Sequence, residues 1–209
     1  MASRPNENDI SDSIHPLIAS GFLEVCYNSL MVRKILQSGD PILRAKSRPV
    51  KTVDKKVLGI IKDLKDTLAI QKEPEGVGLA APQIGKNLQI FWADFKGFRR
   101  LVINPEILKI ESRIKNPGSG KKKGKKEILE GCLSLPYYYG PLKRAPKITV
   151  KYLNEKGEEV TETFESFNAQ IIMHEIDHLN GVLFVDHLLK EKKPLYKVEG
   201  DEWEEVELV

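Results

Sequence analysis

Hydrophobic residues recur at helical spacing in an early segment of the chain. After Asp54, apolar positions follow one another at intervals of three and four residues up to about residue 72. This spacing places them on one face of an α-helix, and aspartate is a favoured N-cap residue. The pattern therefore predicts a helix that begins after Asp54. Its buried stripe is expected to consist of Val57, Ile60, Ile61, Leu64 and Leu68.

Shorter apolar segments in the middle of the chain predict strands. Residues 88–94 and 101–110 have strand-like composition, and the second is interrupted at Asn104-Pro105, because proline cannot donate a ladder hydrogen bond. Alternation over residues 147–153 and 158–164, on either side of a short polar turn, predicts a β-hairpin.

Proline and glycine mark the segments that are expected to be irregular. Residues 32–50 contain Pro41 and Pro49 and predict an extended lead-in, and residues 74–86 are rich in glycine and proline and predict a loop. No internal repeat is present.

A second helix is predicted late in the chain. Glu165 or Ser166 can open it, and Gly181 stands where a C-terminal glycine stop is expected. Short strands precede this helix without regular βαβ alternation. The pattern therefore predicts an α+β fold, with short antiparallel or mixed β-sheets packed around this helix.

The late helix carries a metal-binding pattern. His174 and His178 are four residues apart, and Glu175 completes an H-E-x-x-H sequence. Histidines at this spacing lie on the same helix face and can hold one divalent metal, while the glutamate can move protons of a water molecule at that metal. A polar stripe of two histidines is the alternative, but the surrounding isoleucine and leucine residues argue against a solvated face.

Two histidines do not complete a catalytic metal site, which usually takes three protein ligands. In one large protease group the motif extends to a third histidine, but Phe184 stands at that position and His187 lies three residues too late. Cys132 is the natural candidate, because a thiolate suits zinc or ferrous iron. A buried inert cysteine is the alternative reading.

Composition limits the class of protein. The 209 residues are 41% hydrophobic and 30% charged, with a net charge of +3, as expected for one globular domain without a specific nucleic-acid partner. No apolar run approaches the roughly 20 residues of a membrane span. With only Cys26 and Cys132, no disulfide framework is expected, and a reducing, cytoplasmic compartment is favoured.

Three segments follow one another along the chain and read GVGLAAPQIG at 76–85, EGCLSLP at 130–136 and QIIMHEIDH at 170–178. Together and in this order they resemble the motifs of the peptide deformylase family. The resemblance extends from about Met31 to His187. It implies a metal-dependent hydrolase that removes the N-formyl group from the formyl-methionine of newly made polypeptides.

The resemblance also implies roles for individual residues. Cys132 joins His174 and His178 as metal ligands, with Fe(II) as the native metal and Zn(II) or Ni(II) able to replace it, one ion per chain. Glu175 moves the proton. The oxyanion donors are Gln83 and Leu133. The substrate-binding positions are Gly76, Val77, Gly78, Ile128, Gly131 and Phe167.

Among the substrate-binding positions, the three glycines allow an extended peptide to lie between low walls, and the other three match the methionine pocket. Ordinary turn and core positions are the alternatives. Tyr137-Tyr138-Tyr139 departs from the family pattern beside the cleft, where it would narrow the cleft or form a lid.

These features divide the chain into an N-terminal extension at 1–30, a catalytic domain at 31–190 and an acidic C-terminal tail at 191–209. The extension is either a disordered appendage or a non-native addition. The tail and a lysine run within residues 115–126 are expected to be solvated. The expected partners are nascent formyl-Met polypeptides, with transient proximity to the ribosome and no membrane. A eukaryotic source would instead place the enzyme in an organelle.

Two other functions remain open at this level. Another metallopeptidase can use the same helix, although Phe184 argues against the largest such group. Alternatively, the helix and Cys132 hold a structural zinc, closed by Cys26 or Asp186 as a fourth ligand. Glu175 would have no task in that second case.

Overall fold

The computed structural model describes residues 31–112 and 129–208. Within these residues, nine strands form two antiparallel sheets, and three α-helices pack against them. The first sheet has the order β1 (Gly78–Ala80), β2 (Ile90–Phe95), β3 (Phe98–Glu111), β6 (Lys147–Leu153) and β7 (Glu159–Glu165). The second has the order β4 (Glu130–Cys132), β5 (Leu135–Gly140), β8 (Leu195–Glu199) and β9 (Glu202–Val206). The helices are α1 (Lys55–Ala69), α2 (Ser166–Leu179) and α3 (Phe184–Glu191).

The first sheet lies between two helices. Successive residues of a strand face opposite sides, so Ile90 of β2 packs in the core with α1, whereas Phe91 packs with α2. Helix α2 supplies Ile172 and Ile176 to this second core. The predicted α+β fold around the metal-motif helix is therefore confirmed. None of the helices in the described ranges is both long and apolar enough to cross a membrane.

Helix α1 begins where the sequence predicts. The Asp54 side chain accepts a hydrogen bond from the Val57 N–H at 2.9 Å, and the predicted apolar stripe is buried. The helix ends at Ala69, three residues earlier than expected.

Loss of this cap is expected to destabilise the protein. Asp54→Ala should lower the free energy of unfolding by about 1 kcal/mol, because the first-turn N–H groups lose their acceptor. Urea denaturation measures the change. Asp54→Ser keeps an acceptor and should stay close to wild type, and equal losses in the two variants would contradict the capping role.

Several predicted elements differ in the structure. Residues 74–86 are not only loop: β1 pairs with β2, with Leu79 opposite Trp92, and a short 3₁₀ helix follows at Ala81–Ile84. A second 3₁₀ helix, Pro41–Arg44, interrupts the extended lead-in. β1 was missed because composition does not reveal its pairing with β2, whereas the Asp40 side chain caps the 3₁₀ helix at Pro41–Arg44 by accepting from the Ile42 N–H.

The strand and hairpin predictions hold better. β3 is longer than predicted, and its expected interruption appears as a register shift between Ile103 and Glu106. There, Asn104 has a φ of 51° and its side chain bonds both backbone groups of Val50, at 2.8 and 2.7 Å. The predicted hairpin is confirmed by the pairing of β6 with β7.

The acidic segment at 191–209 is not a free tail in the described residues. It forms the β8–β9 hairpin, which pairs with β5 through Tyr138 opposite Lys197 and Tyr139 opposite Tyr196. Its charged residues are mostly exposed, while Leu195 is buried against α3. Charge composition alone missed this pairing. The extension at 1–30 and the lysine run lie outside the described residues.

Candidate active site

Three side chains from two elements converge on one point. Cys132 ends β4, and His174 and His178 lie one turn apart on α2. The Cys132 Sγ is 3.2 Å from the His178 Nε2, and one ligand atom from each of the three residues lies within 4.8 Å of the others. A sulfur and two imidazole nitrogens suit a divalent transition metal. The residues therefore fit a mononuclear metal site.

No fourth ligand joins this group among the residues that the structure describes. Asp186, one candidate for closing a structural site, accepts a hydrogen bond from the Leu183 N–H and pairs with Arg44. Cys26, the other candidate, lies outside the described residues. Within the described residues, the three ligands correspond to the coordination of catalytic zinc-type sites, in which one position is left open to water.

The charges around the group favour a thiolate. Burial opposes ionisation of Cys132, but the neighbouring His178 and His174 outweigh burial and hold the pKa of the thiol well below its usual range. The Ser134 backbone N–H also donates to the sulfur at 3.4 Å. A thiolate is the form that binds metal.

A carboxylate fixes the orientation of His174. Glu130 accepts from the His174 Nδ1 at 2.7 Å, which leaves the Nε2 as the ligand atom. Burial alone would raise the pKa of Glu130, but hydrogen bonds from Arg144 and then His174 lower it to about 2.

Arg144 connects this carboxylate to a second one. It donates to both oxygens of Glu130, at 2.7 and 2.6 Å, and to the Asp177 Oδ2 at 2.7 Å. Only 8% of the Arg144 side chain is exposed. Arg144 is absent from the cavity lining, so it acts on the metal site through Glu130.

Glu175 lies at the wall of the site with an unused oxygen. It is 2% exposed, and its Oε2 has no hydrogen-bond partner in the described part of the chain. Burial is the main cause that raises the pKa of Glu175 to about 7. Gly78 makes room for it, because a Cβ there would lie 2.3 Å from the Glu175 Oε1.

Gln83 is held with its amide N–H₂ toward the metal group. The Ala80 backbone N–H donates to the Gln83 Oε1 at 2.8 Å, so the Nε2 points to the Ser134 Oγ at 3.1 Å and the Cys132 Sγ at 3.6 Å. The short 3₁₀ helix that follows β1 supplies this position. Leu133 follows the cysteine in the tight turn between β4 and β5.

A cavity of about 270 Å³ opens onto these groups. It is lined by two of the three candidate metal ligands, Cys132 and His174. The other predicted site residues that line it are Gly76, Val77, Gly78, Gln83, Gly131, Leu133, Phe167 and Glu175. The Phe167 ring packs edge-on against Phe95 at 4.8 Å. Ile128, the remaining predicted pocket residue, lies outside the described residues.

Sequence reasoning assigned no role to Glu130, although it lies within the second motif. Residues two apart in a strand face the same side, which relates Glu130 to Cys132, but no strand was predicted at this position. Arg144 stands where the family resemblance implies a basic residue, but its contacts were not predictable, because its two partners come from separate segments.

These features together fit a metal-dependent hydrolase with a mononuclear site. Comparisons with known proteins agree. The family model described as polypeptide deformylase matches residues 32–194. A peptide deformylase of Pseudothermotoga lettingae is 46% identical over 157 residues, covering 75% of this chain and 82% of that protein.

Solved structures give the same result. The crystal structure of peptide deformylase from Thermotoga maritima is 37% identical, with a TM-score of 0.63 and coverage of 74% of this chain and 96% of that one. A class I type b peptide deformylase from Acinetobacter baumannii with bound Met-Ala-Ser is 30% identical, with a TM-score of 0.63 and coverage of 75% and 98%.

The chain belongs to the polypeptide deformylase family. Its members are metal-dependent enzymes that remove the N-formyl group from newly made polypeptides, and this chain is an enzyme of that kind.

Proposed function

We propose that the cavity binds the formyl-methionine end of a polypeptide and that the residues around it carry out the deformylation. The observation that carries this assignment is the unpartnered, buried Glu175 Oε2 beside an open Cys-His-His group. A purely structural metal site has no use for such a carboxylate.

Cys132, His174 and His178 would hold one divalent metal. When bound, the metal acts as a Lewis acid and activates a water molecule toward the formyl carbonyl group. Mixed thiolate and imidazole donors suit ferrous iron and zinc. We assign Fe(II) as the native metal, with Zn(II) and Ni(II) as replacements.

Glu175 is the proposed general base and acid. Its carboxylate accepts a proton from the attacking water and then delivers it to the departing amine. A pKa near 7 suits both steps, because the group can gain and lose a proton at neutral pH.

Gln83 and the Leu133 backbone N–H are the proposed donors to the developing oxyanion. The Ala80 hydrogen bond fixes the Gln83 amide before substrate arrives, so the donor needs no reorganisation during the reaction. Gly76, Val77, Gly78 and Gly131 form the walls along which an extended peptide would lie. The methionine side chain would contact Val77 and Phe167; Ile128 is the third position that the family resemblance implies and lies outside the described residues. A relative whose structure holds Met-Ala-Ser supports peptide binding.

The substrates we infer are nascent formyl-Met polypeptides, which the enzyme would meet through transient proximity to the ribosome. The proposed location is the cytoplasm, or an organelle if the source is eukaryotic. No residue contact with the ribosome is assigned.

The test compares three peptides that differ only at the N-terminus. Anaerobically purified protein should contain one metal ion per chain and release formate from formyl-Met-Ala-Ser, but leave the acetyl-Met and unblocked peptides intact. Elemental analysis gives the metal and its stoichiometry. Cleavage of internal amide bonds with the formyl group spared would overturn the proposal.

Gln83→Ala is expected to lower kcat about 10²–10³-fold, with a smaller change in KM, because the oxyanion loses a fixed donor. Steady-state kinetics on formyl-Met-Ala-Ser measures this change. Gln71→Ala is the matched control, since that amide donates to the Thr67 carbonyl. A Gln83→Ala variant with wild-type kcat would exclude Gln83 as an oxyanion donor.

A further inference from the structure

A second concave surface lies next to the active-site cavity and shares two lining residues with it. That surface is a groove of about 350 Å³ between β5 and the β8–β9 hairpin. Tyr137 and Tyr138 line both the groove and the active-site cavity. A peptide that leaves the metal site in this direction would pass these two residues before it reaches the hairpin.

Tyr137 occupies an unusual position between the two spaces. Its φ is 67°, a left-handed conformation that a side chain with a Cβ rarely adopts. The residue is 48% exposed. A large aromatic residue in this conformation places an accessible apolar surface at the junction instead of burying it.

The hairpin is attached firmly enough to form a wall. Backbone pairing joins Tyr138 to Lys197 and Tyr139 to Tyr196. The Tyr139 ring also packs against Trp203 of β9, with centroids 5.6 Å apart. The match to the family model ends at residue 194, one residue before this hairpin begins.

The lining of the groove indicates the chemistry of its occupant. Pro136, Tyr137, Tyr138 and Val198 present apolar and aromatic surface. The charged residues there pair with each other, with the Lys197 Nζ at 3.0 Å from the Glu199 Oε2. A large apolar side chain fits this surface better than a charged one.

We propose that the groove formed by Tyr137 and the C-terminal hairpin extends the substrate cleft and selects an aromatic side chain downstream of the formyl-methionine. This inference rests on the proposed function. It names a preference of the same site, and the occupant is the substrate peptide itself.

The experiment uses formyl-Met-Ala-Ala-Ala and three relatives with phenylalanine at the second, third or fourth residue. Wild-type enzyme should favour phenylalanine at one of these positions by roughly tenfold in kcat/KM, as expected for partial burial of an aromatic ring. Tyr137→Phe should keep most of this ratio. Tyr137→Gly and Val198→Glu, on opposite walls of the groove, should both reduce it toward one.

Folding is checked separately in each variant. Tyr137→Gly should unfold at a temperature no lower than wild type, because glycine adopts this φ without steric cost. Leu108→Ala, an exposed apolar substitution on the other sheet, should leave the ratio unchanged.

Equal kcat/KM for all four peptides in the wild-type enzyme would overturn the inference. A preference that persists in folded Tyr137→Gly would do the same. If none of the formylated peptides releases formate while the acetylated or unblocked ones are cleaved, the proposed function itself fails.

Discussion

Glu175→Gln is expected to reduce kcat for formyl-Met-Ala-Ser by about 10²–10⁴-fold, because the variant cannot accept or return the proton. The metal content should stay at one ion per chain, since Glu175 is not in the Cys-His-His group. Elemental analysis and steady-state kinetics on the same sample separate loss of chemistry from loss of metal.

The stability of Glu175→Gln should not fall. Burial raises the pKa of Glu175, so the ionised carboxylate is itself unfavourable in this environment, and a neutral amide of similar shape removes that cost. Glu165→Gln is the control: this glutamate lies at the start of α2, but it is exposed and pairs with Lys147. An active Glu175→Gln variant, or one without metal, would remove Glu175 from the assigned role.

Arg144→Met should produce the largest loss of stability. The guanidinium is buried between Glu130 and Asp177, so its removal leaves two carboxylates near the metal site without their shared cation. Breaking a buried ion pair in this way typically costs about 3–5 kcal/mol in the free energy of unfolding. Chemical denaturation at neutral pH measures it.

The same variant should also bind metal less tightly. Glu130 orients His174, and loss of such an outer carboxylate contact typically weakens metal affinity by about 10- to 100-fold. Competition with a chromogenic chelator measures this affinity. Both effects should be smaller in Arg144→Lys, which keeps the charge but loses the two-point contact.

Arg100→Met is the matched control for stability. Arg100 also contacts both oxygens of its partner, Glu162, but the two side chains are 39% and 26% exposed. Solvent screens such a pair, so the expected cost is about 1 kcal/mol or less. Equal losses of stability in Arg144→Met and Arg100→Met would show that the burial of Arg144 does not increase the cost of removing its charge.

The helical and hairpin segments were predictable because their signals are local. In α1 the apolar spacing and the Asp54 cap lie within one segment, and the β6–β7 pairing depends on a short turn between adjacent strands. β1 was missed because its segment has the glycine- and proline-rich composition of a loop. The C-terminal hairpin was missed because its composition is acidic and its partner strand, β5, is distant in the chain.

The site residues also fall into a part that local sequence predicts and a part that depends on the fold. The sequence by itself determined that His174, His178 and Glu175 share one helix, because residues four apart in a helix are neighbours. Only the tertiary structure decided that Cys132 lies 3.2 Å from His178 and that Gln83 points toward the sulfur. These contacts span more than 40 residues, because Cys132 ends a strand of the second sheet, whereas His178 lies on α2, which packs against the first sheet.

The buried charges also depend on the tertiary structure. Glu130, Arg144 and Asp177 are ordinary surface-type residues in the sequence, and folding removes them from water together. Mutual hydrogen bonding then compensates their burial and fixes His174. The two histidines and the glutamate of the proposed site were therefore predictable from one helix. Their orientation depends on packing between segments that are far apart in the chain.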